Sequence, residues 1–169
     1  IIHVDIDPAE MNKMISPDVQ IIGDARAALV ELNKRVDRLD TDEWLRHLAG
    51  YKKKFPLHYR KQGGLRMQQV IDELYNLTEG KAIISTDVGQ HQMWSAQFLN
   101  FDEPNRWMTS GGLGTMGYGV PAAMGVQVAH PGSQVVCVTS EGSVMMNIQE
   151  MNTIAKNNLP VKILNLNNQ

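Results

Sequence analysis

The chain has 169 residues, 43% of them hydrophobic and 20% charged, with a formal net charge of −2. That length suits one domain or parts of two. There is no basic excess to attract nucleic acid or an anionic membrane, no apolar run is long enough to span a bilayer, and a lone cysteine excludes an internal disulfide framework. Cys137 sits among Val135, Val136 and Val138, so it reads as an inert core thiol in a reducing compartment. The chain opens on Ile1-Ile2-His3-Val4 without an initiator Met and stops at Asn167-Asn168-Gln169. An internal segment of a longer polypeptide is therefore expected.

Taken in chain order, Ile1 to Val4 reads as a short strand ending at Asp5, and Asp7-Pro8 as a turn or short helix. Val19 to Ile22 reads as a second strand, closed by Gly23-Asp24. Leu29, Leu32, Val36 and Leu39 then fall at helical spacing. Asp40 and Glu43 together predict the cap of a helix through Trp44, Leu45 and Leu48. The basic run Lys52-Lys53-Lys54 is expected on a solvated surface. From Lys52 to Gly64 no period is evident, and Pro56 with Gly63-Gly64 predicts a linker.

A new unit starts near Leu65. Met67, Val70, Ile71 and Leu74 make a helical stripe, and Ala82 to Thr86 a strand. Gly89 to Phe98 is expected to be helical, then Ser110 to Gly119 a glycine-rich loop. Pro121 to Ala129 suits a helix with proline in its first turn. Gln134 to Thr139 reads as a strand, and Asn147 with Glu150 predicts a capping box for a helix through Met151, Ile154 and Ala155. Val161 to Leu166 is the last expected strand. Strands alternating with helices predict an α/β fold: a parallel sheet with helices on both faces, preceded by the end of a second α/β domain. The boundaries expected are 1–38, a linker 39–64, and 65–169. Ligands of such sheets bind at the C-terminal strand ends.

Several motifs fall there. Asp87-Val88-Gly89-Gln90-His91-Gln92 follows a strand and opens a helix, a site where N–H groups can cradle phosphate; a plain polar turn is the alternative. Ser110 to Gly119 holds five glycines in ten residues, with Met116 at its centre. That entropic cost points to a ligand-contacting loop rather than a merely flexible one. Ser140-Glu141-Gly142-Ser143 carries one carboxylate, and Asn167-Asn168 adds amide oxygens at the next strand end. A carboxylate and an amide beside phosphates suit Mg²⁺; a helix cap or turn is the alternative. Asp5 and Asp24 at the first two strand ends could accept from a ribose, or simply cap helices, which their spacing favours.

The string of motifs resembles a known family. Gly89-Gln90-His91-Gln92-Met93-Trp94, then Thr109 to Gly119, then Met146-Asn147-Ile148-Gln149-Glu150 and Asn167-Asn168, resemble the catalytic subunits of the acetohydroxyacid synthase (acetolactate synthase) family. Ile2 to Pro8 and Gly23-Asp24 resemble it as well, so the resemblance covers essentially the whole chain. It implies a three-domain enzyme using thiamine diphosphate, Mg²⁺ and FAD. Such enzymes decarboxylate pyruvate and join the two-carbon unit to a second 2-oxo acid, for branched-chain amino acid synthesis. By resemblance, residues 1–38 end the central FAD-associated domain, with Asp5, Ile6, Gly23 and Asp24 beside the adenosine half of FAD. Residues from 65 on open the thiamine diphosphate domain.

By the same resemblance, Val88, Gly89, Gln90 and His91 contact the diphosphate, Gly114 touches the pyrimidine, and Met116 wedges between the two cofactor rings. Glu141 and Asn168 are the Mg²⁺ ligands, with Gly142 and Ser143 at the diphosphate. Ser140-Glu141-Gly142 departs from the family's usual Gly-Asp-Gly or Gly-Asp-Ala, and the extra methylene of Glu141 bears on a metal with strict octahedral geometry. The Glu that activates the aminopyrimidine lies in the family's N-terminal domain, so no catalytic residue is expected in this chain and the isolated chain is expected to be inactive. A homodimer or tetramer, a regulatory small subunit, and a bacterial cytoplasmic or organellar location are also implied. A thiamine enzyme of pyruvate oxidase or glyoxylate carboligase type, or a non-catalytic paralogue with an impaired Mg²⁺ site, are the competing readings.

Overall fold

A computed structural model describes residues 1–167 and divides the chain into two units, residues 1–56 and 57–169. In the first unit β1 (Ile2–Asp5) and β2 (Val19–Ile22) pair in parallel, Ile2 opposite Val19 and Asp5 opposite Ile22. A 3-10 turn at Pro8–Glu10 lies between them, its first N–H groups held by Asp7, whose Oδ1 accepts from Ala9 N at 2.8 Å. Helix α1 spans Ala25–Asn33 and α2 spans Asp42–Lys54.

Three expectations are corrected in this unit. The stripe ending at Val36 and Leu39 overruns α1, which stops at Asn33. Asp40 does not cap α2: Thr41 occupies the cap position and Asp40 Oδ1 accepts from Asp42 N at 3.0 Å instead. The expected linker is also helical through Lys54. Asp42 and Glu43 in the first turn and Lys52, Lys53 and Lys54 in the last complement the helix dipole at both ends.

In the second unit the order is α3 (Met67–Thr78), β3 (Ile83–Thr86), α4 (Gln90–Phe98), β4 (Trp107–Thr109), α5 (Gly119–Ala129), β5 (Val135–Thr139), α6 (Glu141–Met146), α7 (Glu150–Lys156) and β6 (Lys162–Asn165). The four strands form one parallel sheet, ordered β4-β3-β5-β6. The α/β class and the helices on both faces are thus as expected.

Residues of alternate parity on β3 and β5 face opposite layers. Ile84, Val136 and Val138 join Ile71, Leu99 and Leu166 in one apolar cluster; Ile83, Val135 and Cys137 join Val120, Ala123 and Val144 in the other. A strand buried on both faces explains the unbroken apolar run Val135 to Val138. Full burial of each such side chain stabilises the fold by about 1.5–3 kcal/mol. Cys137 is completely buried and desolvation pushes its thiol up to about 12, which confirms an inert core residue.

Candidate active site

All four strands run the same way, so the loops after β3, β4 and β5 emerge on one edge. The loop after β3 starts at Asp87, which is wholly buried. Its Oδ1 accepts from Gly119 N at 2.9 Å and its Oδ2 from the Thr139 hydroxyl at 2.8 Å. One carboxylate therefore ties together the ends of β3 and β5 and the start of α5. An unpaired buried carboxylate would be very costly, so these two donors are structural requirements. Gly119 leaves no alternative residue: a Cβ there would lie 2.8–2.9 Å from the Asp87 carboxylate and backbone N.

Gly89 caps α4 at φ +151°, a conformation that side-chain-bearing residues avoid, and α4 has no side-chain cap. The first turn of α4 carries His91, only 2% exposed, with its Nε2 unpartnered. Burial holds the His91 pKa below the ordinary 6.5, an effect partly opposed by the Asp87 charge and backbone and by Glu141. His91 is therefore neutral near pH 7.

The glycine-rich loop after β4 packs onto both neighbours. Gly114, at φ +67°, approaches Val88, and the Met116 methyl lies against Gly142, where a Cβ would sit 3.4 Å from it. Met116 stays 43% exposed at the centre of the three loops. Gln92 Nε2 donates to Thr109 Oγ1 at 2.7 Å and anchors the loop's beginning.

The turn after β5 is the start of α6 rather than a free turn. Ser140 is its cap residue, with extended backbone at φ −133° and ψ 170°, and Glu141 is its first residue and exposed. Ser143 is buried and donates from Oγ to the Val88 carbonyl at 3.2 Å. Gly89, Gln90, His91, Ser140, Glu141 and Met67 line a cavity of about 100 Å³, closed by Leu166. The carboxylate expected to hold a metal thus shares a cavity with the loop expected to hold phosphate.

Asn147 is not the capping-box residue expected. Gln149 occupies the cap position of α7, and Asn147 Nδ2 donates to the Gly117 carbonyl at 2.7 Å. It pins the glycine-rich loop where Gly117, at φ +87°, has no room for a Cβ. Asn168 lies outside the described residues; Asn167 is described and exposed. In the first unit Asp24 caps α1, accepting from Ala27 N at 2.8 Å, and Asp5 accepts from Asp7 N at 2.9 Å. Gly23 N donates to the Asp5 carbonyl, which brings Gly23 and Asp24 beside Asp5 and Ile6.

The donor set bears on which groups fit. Among the described residues no three His, Cys, Asp or Glu side chains gather into a metal cage. A single carboxylate suits Mg²⁺, which takes one or two carboxylates and completes its shell with water and substrate phosphates. The unpartnered His91 Nε2 and the uncapped start of α4 border the same cavity, as a phosphate site requires.

Residues 87–169 match the model of the thiamine pyrophosphate enzyme C-terminal TPP-binding domain. That match covers just under half of the chain and marks the second unit as similar to a thiamine pyrophosphate-binding domain. Over its whole length it is 49% identical to a chloroplastic acetolactate synthase of Arabidopsis thaliana, of which it covers 26%. Over 99% of its length it is 47% identical to the acetolactate synthase large subunit of Buchnera aphidicola and 44% identical to that of Haemophilus influenzae, covering 30% of each. The chain thus spans under a third of the length of these relatives. The domain match spans all three of these loops, beginning at Asp87.

Asp87, Gln92 and Asn147 are the site residues whose roles the sequence did not disclose. A carboxylate directly after a wholly apolar strand was the available signal for Asp87. Nothing in local spacing pointed to the long-range partners of Gln92 or Asn147.

Proposed function

We propose that this chain is part of the catalytic subunit of an acetolactate synthase, which condenses two pyruvates, or pyruvate with 2-oxobutyrate, with loss of CO₂. The observation that carries the reading is the meeting of the loops after β3 and β5 on one cavity, with Glu141 on one wall and the buried, unpartnered His91 on the other, and Met116 of the glycine-rich loop packed against Gly142. Similarity to acetolactate synthases along the whole chain supports it.

Thiamine diphosphate, when bound, supplies the carbanion chemistry that decarboxylates a 2-oxo acid. The residues of this chain bind and orient. Val88, Gly89, Gln90 and His91 hold the diphosphate, with Gly142 and Ser143 closing the opposite side. Glu141 and Asn168 hold Mg²⁺. Met116 and Gly114 orient the rings, and the Asn147–Gly117 contact keeps Met116 from drifting. Ser140 fits this role without backbone strain, because its extended conformation is open to any residue. FAD would bind the first unit at Asp5, Ile6, Gly23 and Asp24, where two carboxylates sit at parallel strand ends, Asp24 with one oxygen left after its bond from Ala27 N and Asp5 with its second oxygen 3.9 Å from His3 Nε2. Residues 1–38 end the FAD-associated domain and 65–169 begin the cofactor domain. The full protein would act as a homodimer or tetramer with a regulatory small subunit, in a bacterial cytoplasm or an organelle. No helix among the described residues is long and apolar enough to cross a membrane.

Calorimetric titration of the chain with thiamine diphosphate, with Mg²⁺ and then with a chelator, tests the reading. Saturable, Mg²⁺-dependent binding is expected. Glu141→Gln should weaken it by about tenfold or more, since a charged metal ligand is lost. Absence of saturable binding would count against the proposal. Acetolactate formed from pyruvate by the full-length polypeptide is the matching activity measurement.

A further inference from the structure

The second unit holds another, larger cavity of about 810 Å³, lined by Tyr59, Arg60, Arg66, Gln68, Trp94 and Asn167 among others. Among the described residues, Met67 is the only lining residue that it shares with the smaller cavity beside Glu141, and no Asp or Glu lines it. The carboxylate of Asp72 is engaged by the Tyr59 hydroxyl at 2.6 Å, which pushes the Tyr59 pKa up to about 12 and keeps the phenol neutral.

Arg60 and Arg66 both border this cavity with exposed side chains, and neither guanidinium makes a hydrogen bond or ion pair among the described residues. Arg35 and Arg106, by contrast, each have a glutamate partner. Two guanidiniums on one cavity with no acidic lining residue leave a positive site whose natural complement is an anion. The planar fork of arginine matches phosphate oxygens bidentately. Trp94, half-buried on α4, adds an aromatic surface to the same walls. An indole face stacks on flat rings.

We propose that this cavity binds a small organic phosphate carrying a flat ring, such as a nucleotide, at a site separate from the one built around Glu141 and His91. Arg60 and Arg66 hold the phosphate and Trp94 packs on the ring.

Calorimetric titration of the 169-residue chain with adenosine monophosphate, adenosine and succinate tests this. Adenosine monophosphate should bind saturably, adenosine and succinate much more weakly. R60Q/R66Q should weaken binding about tenfold for each guanidinium removed. Both side chains are exposed, so that variant should keep its circular dichroism and unfolding midpoint. His91→Asn should leave binding of adenosine monophosphate unchanged. The proposal is overturned if adenosine monophosphate does not saturate or binds the double variant equally well. Equal binding of succinate overturns the assignment to phosphate. Loss of binding in His91→Asn overturns the location, by placing the ligand in the smaller cavity.

Discussion

Two glycines at the site separate packing from conformation. A methyl at Gly119 would collide with the Asp87 carboxylate and backbone, neither of which can yield without breaking the joint between β3, β5 and α5. Gly119→Ala should lower stability by about 1–3 kcal/mol in urea unfolding. Gly142→Ala meets only the flexible end of Met116 and should be close to neutral. Equal losses for the two variants would contradict the role given to Asp87. His91 gives a pH signature. Its folded pKa lies below the unfolded value of 6.5, so the unfolded chain binds more protons between the two. This contribution to stability is complete above pH 6.5 and is lost as pH falls through the folded value. Unfolding midpoints should drop between pH 7 and pH 5, and His91→Gln should flatten that drop.

At the scale of elements, helix ends show what local pattern conveys. Glu79 closes α3 in the left-handed region at φ 51°, and Asn158 does the same after α7 at φ 50°. Gly80 N then bonds Tyr75 O, and Leu159 N bonds Ile154 O, the same reversal in both places. Asn tolerates this conformation and a β-branched residue does not. Asn158→Val should cost about 1–2 kcal/mol by thermal unfolding, whereas Glu79→Gly should raise the midpoint.

The buried strands were legible because Ala82 to Thr86 and Val135 to Val138 are compact apolar runs. Strand β4 was not, since three residues between Arg106 and a glycine-rich loop offer no period. Helix α6 was hidden too: Ser-Glu-Gly-Ser reads as a turn, and only the burial of Ser143 and Val144 makes it helical. The Asn147–Glu150 pattern misled because the Asn147 side chain is engaged elsewhere: its Nδ2 donates to the Gly117 carbonyl, thirty residues away, and its Oδ1 accepts from Gln149 Nε2. The motifs proposed to hold phosphate and metal were visible as a string; their convergence depends on the parallel sheet.

At the scale of the whole molecule, the two units are unequal. No residue of 1–56 is fully buried, whereas 57–169 holds both apolar clusters. A segment of that size without a core cannot offset its conformational entropy. Residues 1–56 expressed alone should show no cooperative unfolding transition, and residues 57–169 should show one by circular dichroism. A cooperative transition in the shorter piece would mean that its strand pair and helices make a sufficient core by themselves.

Ser140 carries a last consequence. Its backbone is extended, so the position has no conformational need for glycine. A glycine there would gain nothing in the folded chain and would widen the set of shapes open to the denatured one, at about 0.4–1 kcal/mol. Serine at this turn therefore restrains the denatured ensemble at the very place where, in the function proposed, a bare backbone would let the diphosphate come nearest. The head of α6 is thus set by two opposing demands, persistence of the fold and closeness of approach, and in this chain the residue chosen favours persistence.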